Sequence, residues 1–450
     1  MNTVIFPNLR GSTRTMETQE LYNLYLKHPK VAIDSRKVEK GCLFFSIKGE
    51  RFDGNQFASR ALAAGAAYAI VDDPSVIQGD GYILVPDSLQ SLQALARHHR
   101  RQFFIPVIGI TGSNGKTTTK ELVAAVLGSH YHLHYTRGNL NNHIGVPLTL
   151  LEMKEGLEVA IIEMGANHQG EIDFLCRIAE PSHGLITNIG KAHLEGFGGI
   201  EGVKKGKSEL YRFLGATGGM AFVNRDERFL EALAAPVAKK VFYRRSDNLS
   251  LQERDLEVRL LDTRPFVRAA FIDKDGRQYE VNSRLIGAYN FNNIMTAIAL
   301  GKYFKVPCDK IVAAIEGYIP DNMRSQVLQR QSNTFVLDAY NANPTSMREA
   351  LLSFAAMEGQ RKVAILGDML ELGEESQREH ERIAELAAQQ GFDDAIFVGP
   401  QFEGVARAAG FRHFANVAEL KQWFDAQHFQ NCHFLIKGSR GMRLEDVLGE

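Results

Sequence analysis

Val107-Ile108-Gly109-Ile110-Thr111-Gly112-Ser113-Asn114-Gly115-Lys116-Thr117-Thr118 is the stretch that decides the fold. A short apolar run, read as a buried strand, leads into a glycine-rich loop. A helix is expected to open at Lys116 and run to Leu127. Strand, loop and helix in that order form the context of a phosphate-binding loop. Glycines let backbone N–H groups turn toward phosphates, and a helix N-terminus adds partial positive charge there. Lys116 can reach the β- and γ-phosphates of a nucleotide, and the Thr117 hydroxyl can ligate Mg²⁺. The general pattern G-x-x-x-x-G-K-[ST] wants glycine at 110, where Ile110 stands; the glycines are Gly109, Gly112 and Gly115. A glycine-rich turn with a chance Gly-Lys-Thr is the blander reading. Strand, glycines, lysine and paired threonines in one order weigh against it.

Working outward, Val159–Glu163 and Gly184–Ile189 are further apolar strands ending at polar residues. They predict a parallel α/β core with its chemistry at the strand C-terminal ends. Upstream, residues 31–87 alternate short apolar runs (Leu43–Ile47, Tyr68–Val71, Tyr82–Val85) with Gly and Asp turns, around one amphipathic stretch, Phe57–Ala64. This reads as a small α/β unit, joined through a helical Ser88–Gln102. Beyond Pro320 come Phe335–Leu337, Val363–Leu366, Ala395–Val398 and His433–Ile436. Helices are expected between them at Ser346–Met357 and Ser376–Gln390, giving a second doubly wound unit. A length of 450 residues suits about two to four domains. The expected division is a substrate-binding domain at 1–100, a central ATP-binding P-loop domain at 101–319 and a C-terminal Rossmann-like domain at 320–450.

Basic and acidic residues nearly cancel, at 52 and 53, so no nucleic-acid or membrane-surface role is suggested. Cys42, Cys176, Cys308 and Cys432 form no CxxC pair, which argues against a zinc site or disulfide framework and for a reducing cytoplasm. The opening residues lack the apolar core of a signal peptide. No apolar run approaches the ~20 residues of a membrane span.

Other residues carry chemistry less plainly. Glu163 at a strand end is placed for Mg²⁺, or is simply an exposed strand terminus. His193, in Asn188-Ile189-Gly190-Lys191-Ala192-His193, is a candidate metal or phosphate ligand, though a lone His is more often only hydrogen-bonded. Lys207 reads first as part of a solvated basic face.

Taken together, the motifs resemble the Mur ligase family, which extends the peptidoglycan precursor by ATP-driven amide formation. The family's loop, GxxGxxGKTT, explains the shifted glycine. Within the family the chain is most similar to the member that joins D-alanyl-D-alanine to the UDP-N-acetylmuramoyl tripeptide. The segments that carry this are Gly138-Asn139-Leu140-Asn141-Asn142, Glu163-Met164-Gly165-Ala166-Asn167-His168, and Gly367-Asp368-Met369-Leu370-Glu371-Leu372-Gly373-Glu374. Asp34-Ser35-Arg36 and Lys48-Gly49-Glu50-Arg51-Phe52-Asp53-Gly54 resemble its UDP-sugar module.

The resemblance implies specific roles. Gly112, Ser113, Asn114, Gly115, Lys116, Thr117 and Thr118 would hold the ATP phosphates, and Asn290 and Asn293 the adenine. Arg324, Asp338 and Tyr340 would face the nucleotide from the last domain. Mg²⁺ would be held by Thr117, Glu163, His193 and Lys207, the lysine matching one carbamylated in several relatives. Lys116, Lys207, His193 and Arg324 would be catalytic. Substrate would meet Ser35, Arg36, Lys48, Phe52, Asn139, Asn141, Asn142, Asn167, His168, Lys437 and Ser439. Asn55 stands where relatives often have His, and no role passes to it. Singly, each has a bland reading: Asn290 and Asn293 as helix caps, Asp338 as structural, Arg324 as a linker charge.

The expected enzyme is a cytoplasmic monomer that activates a peptide carboxylate with ATP and passes the acyl group to an amine. Alternatives are the member adding the third amino acid, a folylpolyglutamate synthetase, and a P-loop switch NTPase.

Overall fold

Short apolar runs separated by glycine and aspartate turns pair as strands, because only a sheet can satisfy their backbone while burying both faces. A computed structural model describes residues 15–449 apart from 51, 253 and 360. Residues 1–14, on which part of the leader reading falls, and Arg51 of the sugar-module segment therefore lie outside the described residues.

The chain divides into two compact units. One holds residues up to Gly109, with His134–Met164 and Asp173–Ser182; the other holds Ile110–Leu133, Gly165–Ile172 and everything from His183.

In the first unit, Val31–Ala32, Leu43–Phe45, Tyr68–Val71 and Tyr82–Leu84 form a parallel four-stranded sheet in that order. Helix Ala58–Ala63 buries Ala58 and Ala61, which pack with Ala69 and Val71 of the sheet. A two-stranded hairpin, Lys48–Gly49 with Phe52–Asp53, stands beside it. Asn55, 2% exposed, ties this hairpin down. Its Nδ2 donates to Asp53 and Asp72, and its Oδ1 accepts from the Asp72 backbone N–H. Asp87 caps helix Ser88–Arg100 by accepting from Gln90 N–H. Strand Val159–Glu163 is buried throughout.

In the second unit, His183–Ile186, Met220–Asn224, Lys239–Arg245 and Leu256–Asp262 run parallel. Arg268–Ile272 and Gln278–Asn282 continue antiparallel, so the core is mixed at this edge. The expected strand at 184–189 stops at Ile186 because Thr187 and Asn188 turn their side chains onto the phosphate loop. Helix Asn290–Tyr303 is buried along nearly its whole length. The C-terminal segment forms a six-stranded sheet. Its order is Gln326–Arg330, Asn333–Leu337, His433–Lys437, Lys362–Gly367, Asp394–Val398, Arg412–Phe414. Only the first pair is antiparallel. The half-exposed Gln326–Arg330, with no fully buried residue, suits an edge position. Among the described residues no helix is long and apolar enough to cross a membrane.

Candidate active site

The phosphate loop is held by its neighbours before any ligand arrives. Strand Val107–Thr111 ends at Thr111, and helix Lys116–Gly128 begins five residues later. Gly112 has φ +145° and Gly115 φ +77°; a Cβ on Gly112 would lie 2.0 Å from Thr187 Oγ1, and one on Gly115 2.6 Å from Asn293 Oδ1. Both positions therefore require glycine. Asn188 fixes the loop from both sides, its carbonyl accepting from Ser113 N–H and its Oδ1 from Asn114 N–H. Ser113 Oγ donates to the Gly190 carbonyl (3.1 Å) and accepts from Gly190 N–H (2.9 Å). Lys116 Nζ folds back onto the carbonyls of Gly112 (2.8 Å) and Ser113 (3.3 Å). Thr117 and Thr118 are buried in the first helical turn.

Asn290 and Asn293 lie on one face of their helix and are coupled: Asn293 Nδ2 donates to Asn290 Oδ1, and Thr119 Oγ1 donates to Asn293 Oδ1. Asn290 Nδ2 also meets Ser325 Oγ, which bonds the Tyr289 hydroxyl. Burial pushes that phenol's pKa well above its ordinary range. Arg324 sits between two residues of positive φ, Met323 and Ser325. Its guanidinium lies 3.8 Å from the centre of the Tyr340 ring, and its Nε is buried without a hydrogen-bond partner among the described residues. Asp338 accepts from Ser325 N–H and pairs with Lys437 at 2.6 Å. Lys437 is thus buried in an ion pair inside the C-terminal segment. Ser439 likewise bonds Leu370 N–H and the Ala342 carbonyl.

His193, at φ +52°, presents Nδ1 to Glu371 at 2.5 Å. That hydrogen bond holds the Glu371 carboxyl below its usual range. Lys207 is 1% exposed, so it is not on the solvated face its sequence suggested. Its Nζ donates to the Ala166 carbonyl at 3.0 Å. Burial, and then the nearby Lys116 charge, press its pKa well below the ordinary lysine range. Asn167 and His168 donate backbone N–H groups to Glu171, and their side chains are exposed.

In the first unit, Glu163 is 1% exposed. Its Oε1 accepts from Asn141 Nδ2 at 2.8 Å and its N–H donates to Thr136. Asn142 accepts from Ile144 and Gly145 N–H, shaping the turn into helix Gly145–Leu151; Asn139 is exposed. Arg36 is held by Asp34, and Lys48 by Asp72. Ser35 is half-buried, and Phe52 is exposed.

Sequence reasoning passed over several residues here. Asn188 and Thr187 cradle the loop, Asn343 Nδ2 donates to Asn114 Oδ1 at 2.7 Å, and Lys191 reaches Glu379. Only Asn343 had a local signal, an Asn-Pro pair at a helix start.

Thr117 and Glu163 offer the hard oxygen donors that Mg²⁺ takes, whereas Lys207 fits such a set only once its amine carries a carboxylate. No cluster of three His, Cys, Asp or Glu that could hold a metal occurs among the described residues. Mg²⁺ commonly binds with one or two carboxylates plus substrate phosphates, and each of these donors is of a type that ion takes.

A strand–loop–helix phosphate cradle, approached by polar side chains of a C-terminal α/β sheet, defines a nucleotide-dependent enzyme of the Mur ligase type. The chain belongs to the Mur ligase family. The family's catalytic domain matches residues 30–110, its middle domain 110–301 and its glutamate ligase domain 323–440. The chain is 35% identical to the UDP-N-acetylmuramoyl-tripeptide–D-alanyl-D-alanine ligase of Bacillus subtilis, over 93% of this chain and 92% of that protein. The Escherichia coli ligase of the same name is also 35% identical, with the same coverage. Among solved structures, MurF from Acinetobacter baumannii superposes with a TM-score of 0.83 at 31% identity, covering 97% of this chain and 98% of that one. MurF from Thermotoga maritima in complex with ADP gives 0.80 at 26% identity, covering 94% and 96%.

Proposed function

We propose that the chain is an ATP-dependent, ADP-forming ligase that joins D-alanyl-D-alanine to the UDP-N-acetylmuramoyl tripeptide in peptidoglycan precursor synthesis, acting in the cytoplasm. One observation carries the reading: similarity to ligases of that name runs nearly end to end and takes in both the phosphate loop and the segments facing it. The proposed division of labour is a UDP-sugar domain at 1–100, an ATP domain at 101–319 and a closing domain at 320–450.

A carboxylate is a poor acyl donor. The C-terminal carboxylate of the tripeptide attacks the γ-phosphorus of ATP, giving an acyl phosphate and ADP. The amine of D-alanyl-D-alanine then attacks the acyl carbon, phosphate leaves with the C–O bond electrons, and the amine loses a proton. Catalysis is positioning plus charge neutralisation. Lys116 swings from the loop carbonyls to the transferred phosphoryl oxygens. Arg324, stacked on Tyr340, neutralises charge from the other side. Thr117, Glu163, His193 and a carbamylated Lys207 would hold Mg²⁺, which would add charge neutralisation at the phosphates. Lys207 suits carbamylation because burial favours the neutral amine that attacks CO₂. Asn290 and Asn293 receive the adenine.

The test is phosphate release with the UDP-muramoyl tripeptide and D-alanyl-D-alanine, together and singly. Release that needs both, with a UDP-pentapeptide product by mass, is expected. Release with neither present would replace this reading with a switch NTPase.

A further inference from the structure

We propose that Lys191 is a positioning residue whose ion pair with Glu379 sets the C-terminal segment in register on the phosphate loop. The inference rests on the ligase reading for its kinetic consequence, though not for its geometry. Lys191 Nζ meets Glu379 Oε1 at 2.6 Å, and the Lys191 N–H donates to Thr345 Oγ1 at 3.2 Å. One residue earlier, Gly190 is bonded through both its N–H and its carbonyl to Ser113 of the loop. Lys191 therefore moves only as the phosphate loop moves.

Its partner is equally well anchored. Glu379 is 3% exposed on helix Ser376–Gln389. The next residue, His380, is fully buried and accepts from Met369 N–H through Nε2. This fixes the segment Asp368–Leu370, and the following Glu371 meets His193. The pair thus joins the element that holds phosphate to the element that presents Glu371.

The same Glu379 oxygen also accepts from Arg382 Nη1 at 2.7 Å. A buried carboxylate left without a cation is costly. Arg382, one turn along, travels with Glu379 and keeps it paired when Lys191 withdraws, so the clasp can open. Lys191 itself is 40% exposed at the side chain, where it can exchange its partner for water.

The kinetic test uses the full chain and a double-mutant cycle of Lys191→Gln, Glu379→Gln and their combination. Lys191→Gln is expected to lower kcat roughly three- to tenfold, the scale of one charged hydrogen bond at a half-exposed site. KM for ATP should stay within about twofold, since the loop's own phosphate contacts remain. Lys191→Arg should recover most of the loss, and the double variant should be no slower than the worse single variant. Wild-type kcat together with a wild-type salt dependence in Lys191→Gln would overturn the proposal, as would losses that add in the double variant. Glu379→Gln tests the pair from the buried side, and Lys191→Gln from a half-exposed position where Arg382 still pairs with Glu379. A second readout needs neither peptide substrate: small-angle scattering with a non-hydrolysable ATP analogue and Mg²⁺. Wild type should contract more than Lys191→Gln; equal contraction overturns the clasp. Absence of ligation by wild type, with that difference in contraction preserved, would remove the ligase reading and leave the clasp standing.

Discussion

The Lys116 ammonium rests on two loop carbonyls, which aims it at the phosphate position. Lys116→Ala is expected to abolish ligation while the thermal midpoint changes little; normal turnover by a folded Lys116→Ala protein would sink its assigned role. Glu227 makes a different case. Burial and then the neighbouring Asp226 raise its pKa to about 7, with Asn292 giving partial relief. The folded state therefore holds this proton at a pH where the unfolded chain has lost it. Stability falls as pH rises from the unfolded value near 4.5 through about 7, then levels off. Glu227→Gln should flatten that limb by up to about 2 kcal/mol after allowance for screening, read from denaturant melts at pH 5 and pH 8. An unchanged pH profile would remove Glu227 as the cause. Of these groups, only Lys116 announced itself, because its loop has a fixed spacing. Lys191 and Glu371 acquire meaning from partners distant along the chain, and Glu227 from its burial, none of which a local pattern records.

Strand and helix periodicity was legible wherever one element was buried against another. Helix Lys116–Gly128 and strands Val107–Thr111 and Val159–Glu163 fall within a residue or two of their sequence reading. Gln278–Asn282 is an edge strand whose polar and apolar residues alternate over a short span that also suits a loop, and its inner neighbour Arg268–Ile272, buried at Ala269, Ala270 and Phe271, is too short an apolar run to stand out. The bland reading of Lys207, as part of a solvated face, fails for a related reason. Its run of basic residues looks solvated, but helix Ile200–Lys207 leaves Lys205 exposed and turns Lys207 into the core. The phosphate loop offers the sharpest test at this scale. Gly112→Ala would force a Cβ into Thr187 at a backbone angle that side chains rarely adopt. A loss of about 2–5 kcal/mol in stability is expected, along with loss of nucleotide binding. Gly218→Ala, at positive φ with nothing within 4 Å of the added Cβ, should cost only about 1 kcal/mol. Equal losses in the two variants would show that φ alone, and not the contact with Thr187, governs the loop.

Across the whole molecule, the question is whether the C-terminal segment contributes to nucleotide binding or only to folding, and Asn343 separates the two. Its Oδ1 accepts from Ser346 N–H at 2.9 Å as the cap of helix Pro344–Ala356, while its Nδ2 donates to Asn114 Oδ1 at 2.7 Å. Asn343→Asp keeps the acceptor and improves the charge at a helix N-terminus, so the cap survives. It loses the donor and turns a carboxylate oxygen toward the Asn114 side-chain amide oxygen and the phosphate loop. The nucleotide-free protein should therefore melt within about 2 °C of wild type, whereas KM for ATP should rise on the order of tenfold, as for a lost hydrogen bond replaced by like-charge repulsion. Asn343→Ala removes both roles and should lower stability by about 1 kcal/mol as well. Calorimetric melts paired with ATP titrations distinguish the variants. A lower melting point with unchanged ATP dependence in Asn343→Asp would mean that the bond to Asn114 supports only the fold. The expected pattern instead makes ATP affinity a property of two segments held together, because no group of the phosphate loop is altered in that variant.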